Sequence, residues 1–512
     1  MIGIFATSSF ANTNTSLSYP DHSSLNLQNQ PGFFRFSFDD VKMPSGVQNT
    51  GLVGMNYLAD ITPLVYGGIG VYGSVTGTQG GLFVLGVDGG VHKEFARNWW
   101  ADAGLFVGGG GGRSAMVGGG LMLRPQVGIQ YSWQWARFGL HYSYVSFPSG
   151  QIRSQQIGLD LDIPMNFYYV PFQNEGNTLF DYANLHLPDG GYLDFQRNDF
   201  AILLQNYYQK HGIHNTSGNV QDGTIQLVGA ELDHYITQNG FWWVKTSGAY
   251  HGIPNGYMDI LGGLGYHWAL GSHGFAIVPQ LGAGGGGGGG VDAGGGFLVE
   301  PELGLEVPFT RHFSGRLSGG YLWAPKGEFR AVTATGEIIY HLDVATKSAT
   351  PVNYFTDQYD IQGWRVELLN QTYLHPQRNL NATNSSIELI ALQVDQLITP
   401  YVFFSYQAAS AYKGNHTGGY ATGMLGPGLQ TPEMFNQHVQ LFGEVLVGTG
   451  GGGNIAISGG SIVEPVVGIH YALTPAVGLQ ASVGQLKSWN DNLNTPLINL
   501  GLTIRFGTVN QD

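Results

Sequence analysis

His141 and Ser143 stand two residues apart in Phe138-Gly139-Leu140-His141-Tyr142-Ser143-Tyr144, so on an extended chain both side chains point to one side. With an Asn or Asp to orient the ring, such a pair could serve a hydrolase. Later stretches of the same pattern hold Arg316 with Ser318 and Gln480 with Ser482, and the economical reading of all three is a polar wall. Glu300, Glu302 and Glu306 fall at i, i+2 and i+6 of one strand face. That row is too linear for a general acid and base, whereas like charges along a wall act as an ionic filter. Sixteen histidines include no His-Glu-x-x-His, and no Gly-x-Ser-x-Gly occurs. The absence of cysteine removes disulfides, thiolate metal sites and Cys nucleophiles. Glycine runs match Gly-x-Gly-x-x-Gly, but no Gly-Lys-Ser/Thr and no helical pattern follows to hold a phosphate. The expectation is no enzyme, no metal and no cofactor.

The elements that position these residues recur three times. Ile61-Thr62-Pro63, Ile236-Thr237-Gln238 and Ile398-Thr399-Pro400 open the pattern, and glycine blocks follow at Gly108 to Gly112, Gly284 to Gly290 and Gly450 to Gly453. A third marker begins at Arg124-Pro125-Gln126, Glu300-Pro301-Glu302 and Glu464-Pro465-Val466. From the threonine of the first marker to the proline of the third is 63, 64 and 66 residues. The copies run 33–166, 200–342 and 363–507, after an N-terminal segment 1–32 in which the end of an export signal is expected, the alternative being a plain terminus. Linker or plug segments 167–199 and 343–362 join them, and 508–512 is a tail.

Within each copy the hydropathy has a period of two, the mark of strands with a different environment on each face. Leu303 and Leu305 alternate with Glu302, Gly304 and Glu306, and Leu479 and Val483 alternate with Gln480 and Ser482. Eight such segments fit each copy; in the third they begin near Trp364, Ser386, Tyr401, Gly419, His438, Gly459, Val477 and Pro496. Connections after odd strands are longer and polar, and those after even strands are often tight. That asymmetry, with tryptophans such as Trp133, Trp135, Trp243 and Trp268 near strand ends, is the habit of transmembrane β-barrels. Composition agrees, with 81 Gly and only 11% charged residues. A net charge of −14 leaves no basic face for nucleic acid.

The last strand, Leu497-Ile498-Asn499-Leu500-Gly501-Leu502-Thr503-Ile504-Arg505-Phe506, resembles the C-terminal assembly signal of Gram-negative outer-membrane β-barrel proteins. In that family the aromatic is commonly the final residue, whereas here Gly507 to Asp512 follow. The resemblance implies location in the bacterial outer membrane, contact with its lipids, and insertion by the barrel assembly machinery through Phe506.

Two closures compete. Three tandem eight-stranded barrels would each have a backbone diameter of about 16 Å, and one barrel of about 24 strands would have one of about 48 Å. Many inward positions are glycine, which neither fills a narrow lumen nor pairs within it, so the single large barrel is the preferred reading. The residues expected to line its pore are Arg124, Gln126, Gln130, His141, Glu300, Glu302, Glu306, Arg316, Glu464, His470, Gln480 and Arg505. The corresponding function is an outer-membrane channel or conduit, occluded by its own linkers or by a periplasmic or secreted protein in the lumen. The alternative is a receptor, adhesin or structural barrel that acts through its outer loops.

Overall fold

The computed structural model describes residues 25–511 apart from 113, 172–179, 182–184, 188–191, 253–255, 272–273, 349–357, 380–384 and 490–492. Most of the expected signal remnant lies outside the described residues. What is described is almost entirely antiparallel strand; the helical content is one turn, Ser114–Val117.

The first copy supplies β1 (Gln28–Val41), β2 (Thr50–Asp60), β3 (Val65–Ser74), β4 (Phe83–Ala96), β5 (Trp99–Gly111), β6 (Met122–Ser132), β7 (Arg137–Ser146) and β8 (Arg153–Pro171). Each pairs with the next, and β1 also pairs with β8, placing Arg35 opposite Asp162. The second supplies β9 (Tyr192–Gln209), β10 (Thr224–Tyr235), β11 (Gly240–His251), β12 (Met258–Tyr266), β13 (Phe275–Gly287), β14 (Phe297–Pro308), β15 (Phe313–Trp323) and β16 (Arg330–Ser348), closed by β9 on β16. The third supplies β17 (Gln358–Tyr373), β18 (Ile387–Leu397), β19 (Val402–Lys413), β20 (Ala421–Gln430), β21 (Val439–Gly451), β22 (Ser461–Ala472), β23 (Val477–Ser488) and β24 (Asn494–Gln511), closed by β17 on β24. The strand pairing therefore gives three barrels of eight strands, and the expectation of one 24-stranded barrel is corrected.

The reason lies in the inward glycines, whose missing side chains are replaced by large neighbours. A Cβ at Gly90 or Gly104 would strike the Tyr66 hydroxyl, and one at Gly54 the Tyr72 ring. Trp243 covers Gly282, Phe403 covers Gly428, and Phe442 covers Gly468. Aromatic rings laid over glycine fill a narrow lumen as fully as uniform side chains would. Trp243, expected at a membrane boundary, is buried inside the second barrel for this purpose.

The glycine blocks join the barrels. A Cβ on Gly109 of β5 would lie 2.6 Å from the Ser410 carbonyl oxygen of β19, and one on Gly287 of β13 would lie 2.6 Å from the backbone nitrogen of Gly81, just before β4. In the third interface Gly460 packs on the Ala249 carbonyl of β11, and Thr449 donates to the same oxygen. Each barrel thus sets its glycine block against the third strand, or the loop after it, of another barrel, and the contacts close a ring. At the opposite end Leu27, Tyr168, Val170, Leu193, Ala345 and Val509 form one apolar cluster drawn from all three barrels. Gln28 to Gln30, Leu193 to Gln196 and the Tyr359 to Gln362 stretch are strand ends there, staves of the barrels, while residues 172–179, 182–184, 188–191 and 349–357 of the expected plug segments lie outside the described residues.

Gly109→Val should therefore lower stability by about 1–3 kcal/mol through overpacking, read as a lower unfolding midpoint in detergent. Gly423→Val, at a position with open space around it, should leave the midpoint unchanged. Val509→Asp should loosen the junction of the three barrels and increase proteolysis of the residues between them, because Val509 is fully buried there.

Candidate functional site

Strand alternation turns one residue in two inward, and each lumen becomes a stack of charge under an apolar cap. In the first barrel Arg35 of β1 binds two carboxylates bidentately, Asp162 at 2.8 Å and Asp102 at 3.0 Å. Gln130 donates to the same Asp162. Arg124 reaches Asp39 at 2.7 Å and also donates to Gln126. The His141 ring sits between Asp39 and Asp160, 2.9 Å from each. Ser143 donates to Asp39 at 2.7 Å and accepts from Gln156, so its hydroxyl is committed to a carboxylate rather than poised on the histidine. The group is buried, and the arrangement is structural.

The second barrel is the acidic one. Arg316 gathers Glu231, Asp233, Glu306 and Glu337 within 3.4 Å, and Lys245 holds Glu300 at 2.8 Å and Glu302 at 3.3 Å. Asp259 is satisfied by three hydroxyls, those of Ser247, Tyr207 and Tyr257. In the third barrel Arg365 pairs with Asp395 and Glu367, and His470 meets Glu367 at 2.9 Å. Glu464 takes a hydrogen bond from Gln371, and Gln480 donates to Ser482.

All twelve residues expected to line a pore point inward, but eleven of them are buried. Arg505, at the turn-side mouth of the third barrel, is the partly accessible one and pairs with Glu433 at 2.8 Å. The partners Arg35, Asp102, Asp162, Lys245 and Arg365 went unrecognised in the sequence, although Phe34-Arg35-Phe36-Ser37-Phe38-Asp39 carries their signal, a charge recurring at the inward phase. Among the described residues no group of three His, Cys, Asp or Glu is arranged to hold a metal.

Toward the longer loops every lumen ends in hydrocarbon. Leu52, Val84, Phe106 and Met122 meet the loop residues Leu82, Val117 and Phe147 in the first barrel. Leu298 and Leu322 meet Ile213, Val291 and Phe329 in the second, and Leu389 and Ile462 meet Ile455 and Leu493 in the third. Outside, the apolar phase forms a band, with Ile157 and Leu317 each 73% exposed and Leu140, Leu305, Val467 and Leu500 alongside. A closed barrel with its backbone paired internally and hydrocarbon outside is one of the two structures able to span a bilayer. No helix among the described residues is long and apolar enough to cross a membrane.

These features define a β-barrel fold of the membrane-spanning kind, here with three barrels in one chain. No family model and no curated protein matches the sequence. Among solved structures the chain is similar to OpdQ of Pseudomonas aeruginosa, at 9% identity over 94% of this chain and 98% of that one, with a TM-score of 0.20. It is also similar to OccAB3 of Acinetobacter baumannii, at 10% identity over 94% and 99%, TM-score 0.20. A third is the ferric enterobactin receptor of Pseudomonas aeruginosa, at 9% identity over 93% and 80%, TM-score 0.25. At such scores the assignment of fold rests on the strand pairing itself.

Arg316→Met should cost about 3–5 kcal/mol, because it leaves buried carboxylates without their counter-charge. Unfolding in denaturant of the detergent-solubilised chain measures it, with Lys210→Met at an exposed loop-side position as the unaffected control.

Proposed function

We propose that this chain is a closed outer-membrane scaffold whose working surface is the face formed by its longer loops. The observation that carries this reading is the double seal of each lumen, an ion-paired stack below and an apolar cap above. The cap is the more demanding barrier, since a hydrated ion crossing it would lose its water against hydrocarbon. The loop face, by contrast, is built for display. The connection between β9 and β10 exposes His211, Asn219 and Val220, and it is braced by His214, whose backbone N–H donates to Glu328 at 2.7 Å. That loop supplies polar groups on a rigid base, as a receptor or adhesin requires.

A channel is the second reading, favoured by the second barrel. There polar groups line the lumen from Arg197 and His341 at the mouth, through Asp199, Glu306 and Arg316, with a second cluster of Glu302, Thr335 and Lys245 deeper in. Conduction would require the cap over it to part.

In planar bilayers the purified protein should show no steady open pore. Large, long-lived conductance steps would overturn the scaffold reading. Leu298→Ala combined with Phe329→Ala should introduce small conductance events by thinning the second cap, while exchange of residues 211–223 should alter surface binding without changing conductance.

A further inference from the structure

Among the described residues, connections at the turn side are short except between the fourth and fifth strands of the second and third barrels. The fourth and fifth strands are joined by residues 97–98 in the first barrel; in the second a short strand, Trp268–Leu270, continues the hairpin alongside β13 up to a tip between Leu270 and Phe275; in the third, residues 431–438 join them with no such strand. The tip of this last hairpin, Phe435-Asn436-Gln437, holds three consecutive non-glycine residues in the left-handed region, at φ of 52°, 58° and 68°. Such conformations are strained and persist only where the surroundings enforce them. Here the enforcement is the Met434–Val439 pair of backbone hydrogen bonds, 2.7 and 3.1 Å. Phe435 is 77% exposed, so the hairpin is not held by packing of its tip.

The hairpin lies over a small cavity at the barrel mouth, walled by Arg365, Glu433, His438, Gln440, His470 and Arg505. Strand register puts Arg365 of β17 directly opposite Arg505 of β24 on the inward face. Like charges so placed repel. The directly opposed pairs Arg35 with Asp162 and Asp199 with His341, in the other barrels, are complementary. Arg365 is neutralised from within the lumen by Asp395 and Glu367. Arg505 takes its carboxylate from the hairpin, as Glu433. The buried His470 ring binds Glu367 through Nε2, and its Nδ1 has no hydrogen-bond partner at the wall of the same cavity.

We infer that the turn-side mouth of the third barrel is a binding site for a small organic carboxylate, kept shut by Glu433, whose own carboxylate occupies the ligand's place on Arg505. Arg505 supplies the planar two-donor fork, His470 and Gln440 supply further polar contacts, and the hairpin swings aside to admit the anion. The site is independent of the closed-scaffold reading, since occupancy requires no passage through the lumen.

The test is titration of the full chain in detergent micelles with 4-fluorobenzoate, followed by fluorine NMR. The unmodified protein should bind weakly, and Glu433→Gln should bind at least tenfold more tightly. Glu433→Gln combined with Arg505→Gln should lose that gain. All variants are compared only if they keep the heat-modifiable migration of the folded barrel. Replacement of residues 431–438 by the shorter turn Leu473-Thr474-Pro475-Ala476 opens the mouth by a second route and should give the same gain. Equal affinity in the unmodified protein and in both opened variants overturns the proposal, as does binding that survives loss of Arg505. Inorganic phosphate bound as tightly as the fluorobenzoate overturns the assignment to carboxylates.

Discussion

A barrel of eight strands is too narrow to admit bulk water, so the charges its strands turn inward depend on opposite charges or hydrogen-bond donors inside. That constraint governs the three lumens. Arg35, Arg316 and Arg365 are each fully buried, and each gathers two to four carboxylates. The planar guanidinium suits this role because its five donors can serve several acceptors at once. Where no cation is at hand the solution changes: Asp259 is met by three hydroxyls, and one oxygen of Glu464 by an amide. The outward faces then carry no charge burden and can be wholly apolar, which is what the bilayer demands.

The strands were legible in the sequence because hydropathy of period two is a local property. In the third copy the eight segments read from alternation begin within a few residues of the observed β17 to β24, and the long-loop, short-turn asymmetry also appears. Closure was not legible. Whether β8 pairs with β1 or with β9 depends on partners more than a hundred residues away, and alternation is identical in both cases. The inward glycines pointed toward a wide lumen because a glycine read alone is empty space. Tyr66 over Gly90 and Trp243 over Gly282 show that the space belongs to a residue on another strand. The residues expected to line a pore fall on the inward face for the same local reason, whereas their burial depends on closure.

The glycine blocks have a distinct role from the inward glycines. Interfaces between barrels within a membrane cannot draw on the hydrophobic effect, since lipid is as apolar as the partner. Close backbone approach and hydrogen bonds such as Thr449 to the Ala249 carbonyl supply the attraction instead, and only residues without side chains allow it. One block per barrel, each against another barrel, makes the assembly self-limiting: no glycine face is left over to recruit a fourth.

Linking the three barrels covalently has a consequence for how they can change. In an assembly of three identical subunits every substitution appears three times, so a feature useful at one position and harmful at the others is lost. Here each lumen answers only for itself. The first is built around three arginines, the second carries a marked excess of acid, and the third has residues 431–438 across its mouth. The ring keeps its shape through the repeated glycine contacts while its three interiors are free to diverge into separate tasks.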